Sequence, residues 1–187
     1  MHGTVLSGGF DDAAVQSSRA FRAALGAMAR PGRIHDIIGA APPAPLSIAA
    51  GTLILTLCDP GTPLYLAGAH DCAEVREWVT FHTGAPLSGA AGCAFALGNW
   101  AALLPLSAYP MGTPEYPDRS ATLIVEMDLL ADVGAALRGP GIKGTAHLSL
   151  PDIAAFQGNA GAYPLGLDFY FTAGARLAAV PRTTRVG

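Results

Sequence analysis

The chain has 187 residues, the length of one ordinary domain with no room for a second sizeable hydrophobic core. Its 11 Lys and Arg against 14 Asp and Glu give a net charge of −3, and charged residues make up only 13% of the chain, about half the usual share. The mild acidity and the lack of a basic run argue against nucleic acid as the main partner. With 51% hydrophobic residues, the composition also argues against intrinsic disorder.

The low charge has two interpretations, and the sequence leaves both open. A genome bias towards Ala, Gly, Pro and Arg would produce it, and Lys143, the single lysine, fits that bias. A surface that partner chains cover would also need few charges.

Cysteine usage and hydropathy predict a cytoplasmic protein without a membrane partner. Cys58, Cys72 and Cys93 are odd in number, widely spaced and form no CxxC motif, which excludes a disulfide framework and a zinc ribbon. The two long uncharged segments, 37–58 and 83–114, are interrupted by prolines and glycines, so neither predicts a membrane-spanning helix. No basic region followed by an apolar core opens the sequence, so no signal peptide is expected.

The predicted elements begin with a helix over 11–28. Asp11 and Asp12 are placed to cap it, and Pro31-Gly32 ends it. The hydrophobic residues that fall at helical spacings predict its buried face, with Arg19 and Arg22 on the wetter side. These hydrophobic residues are Val15, Phe21, Leu25 and Met28.

Further along the chain, Gly and Pro turns separate short helices and strands. Helices are predicted at 46–57, 71–81, 99–104 and 151–159, the last with Pro151 in its first turn. Strands are predicted at 34–38, 64–66, 93–97 and 120–127, on both sides of a turn at 139–141, and at 167–171 and 177–180, where the last two form a hairpin. Residues 105–118 are predicted to be a loop. Helices that alternate with strands, followed by a strand-rich end, predict one α/β domain over residues 1–187 with a mixed sheet.

No self-sufficient catalytic motif is present. The chain lacks the GxSxG of an α/β hydrolase, the P-loop pattern and the GxGxxG of a dinucleotide site. Lys143 beside Gly144 is interpreted as a surface lysine rather than a Schiff-base residue. The histidines are scattered and never paired at helical spacing, so no metal site is expected. They are His2, His35, His70, His82 and His147.

What remains is a set of polar side chains beside Gly and Pro turns. His82, which precedes Thr83-Gly84, is placed either to cap the last turn of its helix or to bind a ligand. Asp118 and Arg119 are placed to pair with each other or to address an anion.

Two arginine-containing segments near the end of the chain extend this set. Arg138 stands before Gly139-Pro140-Gly141, where exposed backbone N–H groups would suit an anion. The segment Arg182-Thr183-Thr184-Arg185 adds two guanidiniums and two hydroxyls. Together these residues allow contact with a phosphorylated ligand or with an acidic partner surface.

Short motifs follow one another in a particular order along the chain. They are FRAAL at 21–25, AMARPGRI at 27–34, LTLCD at 55–59, TPLYL at 62–66, FHTGAPL at 81–87, GT at 112–113, YPDRSATL at 116–123, LRGPGI at 137–142, YPLGLD at 163–168 and VPRTTRV at 180–186. No single motif is specific, but the ordered set, over nearly the whole chain, resembles the PhnH family. This family is the H subunit of the bacterial carbon–phosphorus lyase system.

The resemblance implies a role in the use of phosphonates as a phosphorus source. It implies G, I and J subunits as partners in a core complex, and self-association as a homodimer. With partner subunits, the family supports displacement of adenine from ATP by an alkylphosphonate, which gives a ribose 1-phosphonate 5-triphosphate. The implied fold is a three-layer α/β sandwich with a mixed sheet, similar to the large domain of pyridoxal-phosphate-dependent transferases but without the cofactor. No cofactor is therefore expected.

Three hypotheses of function follow. The leading one is a non-autonomous subunit that scaffolds, and helps to complete, a phosphonate–nucleotide transferase. The second is an independent transferase whose His82, Arg119, Arg138 and Arg182 face phosphate, and the third is a purely structural dimer. The resemblance assigns no catalytic residue. The candidate substrate- or partner-binding residues are His82, Thr83, Asp118, Arg119, Arg138, Arg182 and Thr183.

Overall fold

The computed structural model describes residues 6–187, so His2 lies outside the described residues. Its α-helices are α1 (Ala13–Ala29), α2 (Ile48–Leu57), α3 (Ala73–Thr83), α4 (Trp100–Leu103) and α5 (Ile153–Gly161). Its strands are β1 (His35–Asp36), β2 (Leu64–Leu66), β3 (Phe95–Asn99), β4 (Thr122–Glu126), β5 (Ala135–Arg138), β6 (Ala146–Leu148), β7 (Asp168–Ala173), β8 (Arg176–Val180) and β9 (Arg185–Val186).

The main sheet has six strands in the order β1-β8-β7-β4-β3-β2. The four strands β2, β3, β4 and β7 run parallel to one another, whereas β8 pairs antiparallel with both β7 and β1. The predicted mixed sheet is therefore confirmed. The predicted terminal hairpin is also confirmed, because β7 and β8 pair across the turn that contains Gly174.

A second, smaller sheet has the order β6-β5-β9, with both pairs antiparallel. It contains the two extended pieces predicted on either side of the 139–141 turn. The strand β9 joins them from near the end of the sequence and packs against α5. This small sheet therefore brings residues about 47 positions apart, Arg138 and Arg185, into direct register.

Both faces of the six-stranded sheet are covered, because alternate side chains of β2, β3, β4, β7 and β8 enter different hydrophobic clusters. In β4, Ile124 belongs to a cluster formed with α1, α2 and α3. Its neighbours Leu123 and Val125 belong to a second cluster formed with α4, α5 and the small sheet. The chain is thus layered, with α1–α3 on one side of the main sheet and α4, α5 and the small sheet on the other.

The predicted start of α1 is confirmed, but its predicted buried face is confirmed only at Met28, which packs against the core, and is wrong at the exposed Val15, Phe21 and Leu25. The Asp12 side chain accepts a hydrogen bond from the Val15 main-chain N–H at 3.2 Å and caps the helix. The buried residues of α1 are the alanines Ala20, Ala24 and Ala27, whereas Phe21 and Leu25 are more than half exposed. Small side chains let α1 approach α2 and β8 closely, so close packing decides the face and the larger side chains turn outward.

Most predicted boundaries shift by one or two residues; for example, α2 and α3 begin at Ile48 and Ala73, each two residues later than predicted. Helix α5 begins at Ile153 with Asp152 as its N-cap, so Pro151 precedes the helix instead of lying in its first turn. The Asp152 side chain accepts a hydrogen bond from the Ala155 N–H at 3.1 Å and thereby caps the helix at this position. Strand β3 runs over 95–99, two residues later than predicted. None of the described helices combines the length and the hydrophobicity that a membrane crossing needs.

Candidate functional site

An open pocket of about 410 Å³ lies between the end of α5, the small sheet and the segment that follows β8. Three of its described lining residues are arginines, and none carries a carboxylate or an imidazole. The lining consists of Arg138, Gly139, Pro140, Ala160, Tyr163, Arg182, Thr183 and Arg185. We call this the arginine pocket. It brings together three of the candidate residues from the sequence, which are Arg138, Arg182 and Thr183.

The guanidinium of Arg182 is held by protein atoms. Its Nε and Nη2 form a bidentate pair with the Asp168 carboxylate at 3.2 and 2.5 Å. Its Nη1 donates to the Pro117 carbonyl at 2.6 Å, and Nη2 also donates to the Ser120 hydroxyl. Four of its five N–H donors are thereby engaged. Arg182 therefore joins its own segment, after β8, to residues 117–120 and to the start of β7.

Arg138 and Arg185 have a different environment. They are exposed, and they face each other as a directly opposed pair of β5 and β9. Arg138 donates from Nε to the Thr145 hydroxyl at 3.1 Å, which leaves its two terminal nitrogens without a protein partner in the described part of the chain. Over residues 6–187, neither side chain forms an ion pair with a carboxylate.

The turn after Arg138 has a conformation that requires glycine. Gly139 has φ +140° and Gly141 has φ +80°, both in the range that side chains rarely adopt. A Cβ on Gly141 would lie 2.0 Å from the main-chain oxygen of Ala29 at the end of α1. The Ile142 N–H donates to the Gly139 carbonyl at 3.2 Å and closes the turn. The pocket edge is thus fixed by backbone contacts, while the anion-binding role of this turn stays a prediction.

Asp118 and Arg119 lie in the short 3-10 helix Pro117–Arg119, next to the residues that Arg182 contacts. In the described residues they form no ion pair with each other. The Arg119 guanidinium instead rests on the Tyr116 ring, 4.0 Å from its centroid. Neither residue lines the arginine pocket.

His82 and Thr83 lie on the opposite side of the main sheet, at the end of α3. The His82 Nε2 is 3.3 Å from the Ser7 carbonyl, and its ring packs against Trp78 and Phe81. The Thr83 hydroxyl donates to the Val79 carbonyl at 2.8 Å and accepts from the Ala85 N–H at 3.0 Å. The left-handed Gly84 ends the helix, so His82 contacts the amino-terminal segment and does not cap α3.

The candidate list from the sequence contains neither Tyr163 nor Arg185: Tyr163 is only part of a quoted motif, and Arg185 is considered only as the last residue of the segment 182–185. Tyr163 follows α5, is 61% exposed and lines the arginine pocket. Arg185 becomes significant through its register with Arg138. A pairing register between two strands so far apart in sequence is not a local signal.

The carboxyl edge of the parallel strands, where open α/β sheets usually bind ligands, is occupied by protein contacts at β4. The Glu126 carboxylate accepts from the Ser47 N–H at 2.7 Å and from the Thr172 hydroxyl at 2.9 Å. The arginine pocket lies instead beside Asp168, the first residue of β7. It is therefore at the amino end of the parallel strands.

In the described part of the chain, the other reactive groups do not gather into a site. Burial raises the pKa of the Cys58 thiol to about 12 and that of Cys93 to about 11, so both stay protonated at neutral pH. Asp71, between His70 and Cys72, pairs with Arg76 on the surface. Over residues 6–187, no group of three His, Cys, Asp or Glu side chains is placed to hold a metal ion.

Comparison with known proteins agrees with the order of the motifs. The family described as "Bacterial phosphonate metabolism protein (PhnH)" matches residues 8–187. The chain is also 38% identical, over 192 residues, to the alpha-D-ribose 1-methylphosphonate 5-triphosphate synthase subunit PhnH of Rhizobium meliloti (strain 1021). That match covers 97% of this chain and 96% of the relative. The chain therefore belongs to the PhnH family of bacterial phosphonate metabolism proteins.

Proposed function

We propose that the chain is a subunit of an alpha-D-ribose 1-methylphosphonate 5-triphosphate synthase and serves bacterial phosphonate utilisation. The observation that carries this proposal is the match to a subunit of that synthase over nearly the full length of both chains. The family match over residues 8–187 supports the same conclusion.

The reaction that the resemblance implies needs positive charge and a proton donor. A phosphonate oxygen attacks the ribose C1′ of ATP, the bond from C1′ to the adenine nitrogen breaks, and adenine leaves with the bonding electrons and takes up a proton. Both reactants are anions, so their approach is favoured where cationic groups reduce their repulsion. The arginine pocket provides such groups through Arg138 and Arg185.

We propose that the proton does not come from the arginine pocket, where the Tyr163 phenol is a much weaker acid than a carboxyl or imidazolium group. The described lining of the pocket holds no carboxylate, imidazole or ammonium group, the usual proton donors at neutral pH. The nearby Asp168 carboxylate is committed to Arg182. We infer that a partner subunit supplies the acid, and that this chain alone does not release adenine.

The proposed partners are the G, I and J subunits, and the proposed state of the isolated chain is a homodimer in the cytoplasm. The multisubunit nature of the relative, whose name describes it as a subunit, supports the need for partners. Exposed large hydrophobic side chains such as Phe21, Leu25, Ile38 and Leu129 support the interpretation that partners cover part of the surface.

We also propose that the chain is one domain related to the large domain of pyridoxal-phosphate-dependent transferases. The layered arrangement and the mixed six-stranded sheet support this relationship. Lys143 is exposed, which supports the absence of a Schiff-base role.

Purification from the native host tests the assignment. The tagged chain is expressed at its natural level during growth on methylphosphonate, and the proteins that co-purify are identified by mass. We expect the other synthase subunits in constant ratio to the chain. A chain that elutes without the other subunits under these conditions contradicts the proposal, and one that elutes only as a dimer favours the structural dimer.

A further inference from the structure

We propose that Arg138 and Arg185 form an oligophosphate-binding pair, and that the arginine pocket holds a nucleoside triphosphate with its phosphates on this pair and its base against Tyr163. The choice of a nucleotide rests on the proposed function. The oligophosphate site itself rests on the geometry of the pocket.

The pairing of two like charges across adjacent strands is the main observation. Arg138 and Arg185 are directly opposed in an antiparallel pair, so their side chains project from the same face of the small sheet. Their neighbours Leu137 and Val186, also opposed, are buried on the other face. Like charges in this relation repel and destabilise the pair. No carboxylate in residues 6–187 forms an ion pair with either arginine, so nothing in the described chain neutralises the two charges. A bound anion would neutralise them and relieve the repulsion.

The donors that remain free suit phosphoryl oxygens. An arginine fork binds phosphate through two parallel N–H bonds. Arg138 uses Nε on Thr145 and keeps both terminal nitrogens free of protein partners in the described region. Arg185 has no hydrogen-bond partner for its guanidinium there. The Cβ atoms of directly opposed residues lie about 5 Å apart, so the two guanidinium groups can hold two neighbouring phosphoryl groups at once.

The dimensions of the pocket favour a nucleotide over a single phosphonate group. Its volume of about 410 Å³ lies within the range of pockets for whole small ligands. The Tyr163 ring is 61% exposed and lines the same cavity. An exposed aromatic ring offers a stacking surface to a purine.

Arg182 has a different part in this arrangement, as a positioning residue. Its guanidinium is engaged by Asp168, Pro117 and Ser120. It therefore fixes the start of the segment that leads to Arg185 and has few donors left for a ligand. The ligand-binding charge comes from the other two arginines.

Calorimetric titration of the full-length chain tests the inference. The probes are ATP, inorganic tripolyphosphate, adenosine and methylphosphonate in magnesium-free buffer. We expect ATP and tripolyphosphate to bind, and Arg138→Gln and Arg185→Gln each to weaken both roughly tenfold or more. Tyr163→Leu should weaken ATP roughly fivefold or more and leave tripolyphosphate unchanged. Arg22→Gln, at an exposed arginine of α1, is the matched control and should change neither.

Thermal unfolding gives a second readout that does not depend on activity. Because the substitution removes a repulsion, Arg185→Gln should raise the unfolding temperature of the free chain. Tripolyphosphate should raise the unfolding temperature of the unsubstituted chain and have much less effect on Arg185→Gln. A variant that is less stable without ligand, together with unchanged tripolyphosphate binding, contradicts the inference.

The other outcomes also decide the question. Absence of ATP and tripolyphosphate binding overturns the inference, as does methylphosphonate binding as tightly as tripolyphosphate, which would assign the pocket to the phosphonate. The two arginine variants could bind every anion as tightly as the unsubstituted chain does and yet fail to co-purify with the partner subunits. In that case the pair contacts an acidic protein surface and the inference is wrong. Since these titrations use the chain alone, they are independent of whether the synthase requires it. Anion binding without such a requirement would refute the proposed function and not the site.

Discussion

Replacement of Arg182 by alanine should cost stability before it affects any ligand. The substitution removes the ion pair to Asp168 and the bonds to Pro117 and Ser120. The two paired side chains are only 12% and 23% exposed, so solvent does little to replace what is lost. The Asp168 carboxylate keeps one bond, from the Arg182 main-chain N–H at 2.8 Å.

The expected loss can be worked out from these contacts. Breaking a fully buried ion pair by removal of one partner costs about 3–5 kcal/mol. Partial exposure and the remaining main-chain bond reduce this figure, whereas the lost bonds to Pro117 and Ser120 add to it. We expect a decrease of about 3 kcal/mol in the free energy of unfolding. For a chain of this length, that corresponds to a fall of about 6–12 °C in the unfolding temperature.

Urea unfolding of the Arg182→Ala variant, followed by circular dichroism, measures this loss. Arg76→Ala is the control, because Arg76 makes a similar pair with Asp71 on the surface, where the side chains are 51% and 34% exposed. The control should change stability little. An Arg182→Ala variant that loses less than about 1 kcal/mol, or no more than the control does, would refute the reasoning.

Three further predictions concern buried or half-buried groups. Burial lowers the pKa of His35 from 6.5, and the positive charges of Arg30 and Arg33 lower it further. The unfolded chain therefore binds a proton at His35 more readily than the folded chain does. Stability should therefore fall as the pH drops below about 6.5, and His35→Gln should reduce that fall in unfolding experiments; an unchanged pH dependence contradicts the assignment. Burial raises the pKa of Cys58 to about 12 and that of Cys93 to about 11. Both thiols should therefore resist iodoacetamide at neutral pH in the native chain but react in urea. Mass analysis of the peptides measures the extent of alkylation. The Thr184 hydroxyl is buried and has no hydrogen-bond partner in the described structure, so Thr184→Val should be neutral or stabilising by up to about 1 kcal/mol in urea unfolding. A clear loss of stability in this variant would show that the hydroxyl has a partner.

Local chemistry allowed much of the fold to be predicted. Asp12 caps α1 where the sequence placed a cap, and the Gly174 turn joins two strands that were predicted as a hairpin. These features depend on a few adjacent residues. The buried face of α1 is predicted wrongly at Phe21 and Leu25, because hydrophobicity favours these side chains while close approach of the helix favours alanine. Whether large or small side chains face the core depends on the surface of α2 and β8 against which α1 packs. The local sequence pattern of α1 carries no information about that surface.

The candidate site was predicted only in part for a similar reason. Arg138 and Arg182 were recognised from their own turns, and the structure places both at one pocket. Two contacts depend on strand pairing over long separations in sequence. One is the ion pair between Arg182 and Asp168, and the other is the placement of Arg185 opposite Arg138. The sequence groups His82 with these arginines because it precedes a glycine turn, yet α3 places it across the main sheet.

The measurement that tests the account most directly is adenine release from ATP and methylphosphonate by the partner subunits with and without this chain. We predict no release by the purified chain alone, release by the full mixture, and loss of release when the chain is omitted. Restoration should increase with the amount of chain added until it matches the partners in a fixed ratio. Adenine release by the chain alone, or unchanged release by the mixture without it, would contradict the central claim.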